Sequence, residues 1–188
     1  MKRFLLLFFG ITIFFLPGGC QDTAKKSAEI IIEDGNHFPE FLVGKWKAEG
    51  KSGWEIVFEE NGEISSIVHF FGQVELKPSE VQTFPMKKEG KSIYEPSEWI
   101  VNYDSANNVL TVEIGLKYFY SEVGTGIVKG SCSDIFTGTV SEDELIWKAN
   151  WTIFLNATAQ TPENDLTDLS NDPDYGESHD IIFKKVKK

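Results

Sequence analysis

The chain has one arginine, Arg3, and two cysteines, Cys20 and Cys132. So little arginine weakens any function built on forked recognition of carboxylate or phosphate, which guanidinium does best. Long apolar runs are absent too. The greasy stretch from Phe4 to Phe15 is 12 residues, against the roughly 20 needed to span a bilayer. There is no Gly-x-Ser-x-Gly, no phosphate-cradling glycine loop and no His-Glu-x-x-His. Nor do the titratable residues fall at catalytic spacing, so the sequence predicts no enzyme and no cofactor. Basic residues number 18 against 29 acidic ones, a net charge of −11. That balance disfavours nucleic acid, whose phosphates need clustered cations.

What the N-terminus does hold is a pattern. Lys2 and Arg3 precede the apolar run, and Leu16-Pro17-Gly18-Gly19-Cys20 follows it. A basic head, a short apolar stretch and small residues before a cleavage point read as a secretory signal. The ending resembles the lipobox of bacterial lipoproteins. That resemblance implies removal of residues 1–19, acylation of Cys20 with chains such as palmitate, and a place in the bacterial cell envelope. Gln21 after the cysteine implies the outer membrane in a Gram-negative cell. Each buried methylene of such an anchor contributes about 0.8 kcal/mol. The 169 residues left carry −13, so the lipid rather than surface charge would hold the body at an anionic membrane. With Cys20 acylated, Cys132 has no disulfide partner. Between Ser131 and Ser133-Asp134 it reads as a small strand residue rather than a nucleophile.

Residues 20–40 read as the lipidated cysteine and a flexible tether, with Ile30-Ile31-Ile32 able to dock on the body. Residues 41–188 read as one all-β domain, because apolar residues alternate with polar ones instead of recurring at helical spacing. The expected strands are Gly44–Glu49, Trp54–Glu59, Ile64–Phe71, Glu98–Asp104, Val109–Tyr120, Cys132–Val140, Leu145–Leu155 and Asp180–Val186. Asn61-Gly62 marks a hairpin. The proline-bearing stretch 72–96 reads as an irregular excursion or a short edge strand, and 157–178 as a long acidic loop. Eight one-sided strands with short connections predict antiparallel neighbours closing into an up-and-down barrel.

Gly44-Lys45-Trp46 on the first strand of such a meander resembles the lipocalin-type (calycin-like) barrel. The resemblance implies that Trp46 closes the barrel floor. Lipocalins place an arginine near the C-terminal end over that tryptophan, and here Lys184 or Lys185 would substitute. The alternation turns Trp54, Phe58, Trp99, Tyr103, Tyr118, Trp147 and Trp151 inward. Two functions follow. In one, these rings line a pocket for a small apolar or amphipathic ligand. In the other, they fill the interior, and the outer surface or loops bind an envelope protein, as an assembly factor or inhibitor does. No metal site is expected. His37, His69 and His179 lack partners at ligand spacing, and Glu163, Asp165, Asp168, Asp172, Asp174 and Glu177 read as a solvated acidic loop.

Overall fold

The computed structural model describes residues 28–33, 37–50, 52–69, 74–85, 90–161, 164–170 and 176–187. The signal segment, Cys20 and the first part of the tether lie outside them. Thirteen strands occur among the described residues. They are β1 (Ala28–Glu33), β2 (Gly44–Ala48), β3 (Glu55–Phe58), β4 (Ile64–His69), β5 (Val74–Leu76), β6 (Gln82–Pro85), β7 (Lys91–Pro96), β8 (Trp99–Asp104), β9 (Val109–Val123), β10 (Gly126–Ser141), β11 (Ile146–Thr161), β12 (Asn164–Asp168) and β13 (Ser178–Lys185).

The domain is all-β, as the alternation predicts, but it is not an eight-stranded closed barrel. One mixed sheet runs β1-β8-β9-β10-β11-β13-β2-β3-β4-β5, with β7 also on β9, β6 on β7 and β12 on β11. Five strands arise beyond the eight assigned, three of them in the stretch read as an irregular excursion or a short edge strand. The stretch 72–96 forms β5, β6 and β7, because its prolines fall at strand ends (Pro85, Pro96) or between strands (Pro78) and cost few ladder bonds. The acidic segment contributes β12, and β11 runs on to Thr161. The tether contributes β1, whose isoleucines dock by pairing Ala28–Glu33 with Trp99–Asp104 in parallel. That pairing makes the sheet mixed, where an antiparallel meander was expected.

Local chemistry sets the turns. Gly62 takes a φ of 87°, its N–H donates to Glu59 O at 2.9 Å, and the Asn61 side chain accepts from the Glu63 N–H at 3.0 Å. This is the expected Asn-Gly hairpin. Between β8 and β9 the Asp104 carboxylate accepts from the N–H groups of Ala106 and Asn107 at 2.9 and 3.2 Å.

The sheet is rolled. His69 on β4 and Asp134 on β10 are five strand steps apart, about 24 Å along a flat sheet, yet they approach to 3.4 Å. Only a sheet curled onto its own inner face allows this. The roll is not closed by a backbone ladder between β5 and β6. Instead the Gln82 side chain accepts from the Lys77 N–H at 2.7 Å and donates to Glu75 O at 3.4 Å. At the β3–β4 turn, Ile30 and the buried Phe38 pack over Gly62, where an added Cβ would come within 3.2 Å of both.

The long strands β10 and β11 are unusually close at Gly138. A Cβ there would sit 1.9 Å from Lys148 O and 2.6 Å from Ala149 Cα. Neither atom can rotate away, so Gly138→Ala should lower the unfolding free energy by about 1–3 kcal/mol. The midpoint of urea unfolding reads this, and an unchanged midpoint would mean that the strands part easily there.

Candidate functional site

Six of the seven aromatic residues expected to face inward do so. Trp54, Trp99 and Trp147 are fully buried, Phe58 and Tyr103 nearly so, and Trp151 is half-buried. Trp54 meets Phe136 and Trp151 edge-on at 5.1 and 6.0 Å, Phe136 stacks on Trp151 at 5.9 Å, and Trp147 stacks on Phe183 at 4.8 Å. Offset and edge-on pairs of this kind add to the burial of area.

Tyr118 is the exception, at 38% exposed. Leu116 pairs with Cys132 and Phe119 with Gly130, so β9 carries one more residue than β10 across that interval. This bulge reverses the inside-outside parity. Tyr118 therefore faces out and Phe119, 4% exposed, faces in.

Trp46 is fully buried and donates its indole N–H to Leu42 O at 2.7 Å. Of the two lysines considered beside it, Lys185 is the neighbour. It pairs with Trp46 in register and its ammonium donates to Phe41 O at 2.8 Å. Lys184 instead points to Glu49 at 2.7 Å on the exposed side.

The interior also holds a group the sequence reading did not assemble. His69, Cys132 and Asp134 are all buried, and each offers a ligand atom within 4.8 Å of the others. It is the group of this type among the described residues. Asp134 Oδ1 accepts the Trp151 indole N–H at 2.9 Å, while Oδ2 faces His69 Nε2 at 3.4 Å and the Cys132 thiol at 3.9 Å. The His69 ring lies edge-on to Trp54 at 4.8 Å. Burial, and next the nearby Asp134 carboxylate, push the Cys132 thiol far above its usual range. It is a protonated thiol in these surroundings, in keeping with the expected strand residue. Spacing could not reveal the cluster, because 62 residues separate His69 from Cys132. The available signal was Cys132-Ser133-Asp134-Ile135-Phe136, which puts an acid between Cys132 and Phe136 on one strand face.

No family model, curated protein or solved structure matches this chain. Function must therefore be read from the geometry alone. Among the described residues no helix is long and apolar enough to cross a membrane. Among the described residues, clefts flank the sheet at several places, and four of them are lined by none of Trp54, Phe58, Trp99, Tyr103, Trp147 and Trp151. One, of about 350 Å³, runs over Ser131–Ser133 and Ile153–Asn156. Another, of about 410 Å³, lies beside it and is lined by Lys117, Tyr118, Lys129 and Asn156 among others. Phe154, 54% exposed, lines the first and Tyr118, 38% exposed, lines the second, while Leu166 on β12 is 59% exposed. Of the acidic segment, Asp168 accepts the Ser170 N–H at 2.9 Å. Glu163, Asp172 and Asp174 lie outside the described residues.

Proposed function

We propose that this chain is a lipid-anchored envelope protein whose filled β-body serves as a protein–protein interaction module. The observation that carries this is the packing of the inner rings. A ligand-holding barrel calls for a void lined by Trp54, Phe58, Trp99, Tyr103, Trp147 and Trp151. Here Trp54, Trp147 and Trp151 are occupied with one another and with Phe136 and Phe183, at centroid separations of 4.8–6.1 Å. Phe58 and Tyr103 meet Phe38 and Phe41 at 5.7 and 6.3 Å, and Trp99 is fully buried with its indole N–H donating to Gly115 O at 3.2 Å. Clefts and large exposed apolar side chains, Tyr118, Phe154 and Leu166 among them, lie on the outside instead. The rolled sheet with Trp46 at one end supports a lipocalin-like body in an open and elaborated form. The lipobox resemblance supports Cys20 as the anchor and the membrane as the first partner.

The contact face is the outward strip of β9, β10, β11 and β12 with Tyr118, Phe154 and Leu166. The chain's net charge of −11 suits a partner with a basic surface. A photo-crosslinking amino acid at position 154 or 166, in cells that make the chain natively, should give one discrete protein adduct. The same probe at position 45, on the outward side of β2, should not. Native mass spectrometry should show no stoichiometric small molecule, and palmitate labelling should be lost in Cys20→Ala. A co-purifying apolar ligand without any discrete adduct would overturn the reading in favour of a ligand carrier.

A further inference from the structure

We propose that His69, Cys132 and Asp134 form a buried site for a divalent late transition metal, Zn²⁺ in the first instance, which fastens the rolled sheet across its interior. The donor set is one imidazole, one thiol and one carboxylate, the three ligand types that zinc takes. The three ligand atoms lie within 4.8 Å of one another, so the side chains need shift by only about 1 Å to close on an ion. A tetrahedral zinc with bonds of about 2.0–2.3 Å sets its ligand atoms roughly 3.3–3.7 Å apart. Here Asp134 Oδ2 lies 3.4 Å from His69 Nε2 and 3.9 Å from the Cys132 sulfur.

The carboxylate is already aimed. Trp151 engages Oδ1 at 2.9 Å and leaves Oδ2 toward the other two donors, the outer-shell support that metal-bound carboxylates ordinarily have. Cys132 also borders the 350 Å³ cleft, which brings the site within one residue of the surface. On binding, the thiol proton leaves to solvent and the thiolate takes its place on the metal. The site joins β4, next to the open seam, to β10 on the far side of the roll. It would supply the crosslink that a chain with a lone interior cysteine cannot make as a disulfide.

The test uses the full chain in mild detergent, stripped by chelator, desalted and given CoCl₂ or ZnCl₂ alone. One equivalent of cobalt should produce a thiolate-to-cobalt charge-transfer absorption and the intense visible bands of four-coordinate cobalt, and zinc should bleach both. Zinc should also raise the thermal midpoint. Cys132→Ser should abolish the charge-transfer band, while Cys20→Ser leaves it. Trp151→Phe, which keeps the ring but drops the N–H, should weaken zinc about 10- to 100-fold. A version free of mutations guards against misfolding. X-ray absorption of the zinc-loaded unaltered chain should count one sulfur among nitrogen and oxygen neighbours. A first shell without sulfur, no retention of metal through desalting, or a band that depends on Cys20 would each overturn the proposal.

Discussion

Replacing Trp54 with alanine should lower the unfolding free energy by about 3–5 kcal/mol. The side chain is fully buried and touches three rings that come from three other strands, His69 on β4, Phe136 on β10 and Trp151 on β11. It therefore ties the free end of the sheet to its middle. Little around it can collapse into the space it would leave, since Phe136 is itself held by Trp147 and Phe183, Trp151 by His179 and His69 by Tyr94. Urea unfolding followed by the fluorescence of the remaining tryptophans measures the change. Ile56→Val, one inward position along β3, serves as a scale at about 0.5–1.5 kcal/mol. A Trp54→Ala loss no larger than that would mean that the roll is loose.

Asp134→Ala should be about as costly in the metal-free chain, at roughly 3–5 kcal/mol. The substitution leaves the Trp151 indole N–H without its acceptor and the His69 imidazole without the carboxylate it faces. The cost of stranding buried polar partners exceeds the net worth of their pairing. That difference is itself measurable. Pairing Asp134→Leu with His69→Phe removes both partners and fills their volume, so the double variant should recover much of the loss. A double-mutant cycle that instead came out additive would show that the two side chains do not act on each other.

The sequence carried the strand class and most inward-facing residues because a half-buried strand repeats every second residue, and the large apolar side chains Trp54, Ile56 and Phe58, like Trp99, Val101 and Tyr103, keep that spacing. It failed at Tyr118 because alternation has no memory of an inserted residue. One bulge beyond Leu116 shifts every later position to the other face. A second irregularity between β3 and β4, where Val57 pairs with Ser66 but Phe58 with Ile64, hid the inward turn of His69 in the same way. Strands β5, β6 and β12 were missed for another reason. They are three to five residues long, too short for a pattern, and their identity comes from the neighbour each one pairs with. The His69, Cys132 and Asp134 cluster was out of reach for a related cause. It exists only because the sheet rolls, and no local run of residues encodes that curvature.

The parallel pairing of β1 with β8 bears on how the body takes a mechanical load. Any pull transmitted through the chain ahead of Ala28 arrives at the beginning of a six-residue ladder that runs from Ala28↔Trp99 to Glu33↔Asp104. Drawn along the strand axis, those hydrogen bonds are loaded together, in shear. A hairpin pulled from its open end would give way one bond at a time. Ile30, packed over Gly62, adds friction between β1 and the turn beneath it. From Ala28 onward, the segment read as slack tether is in this respect a clamp.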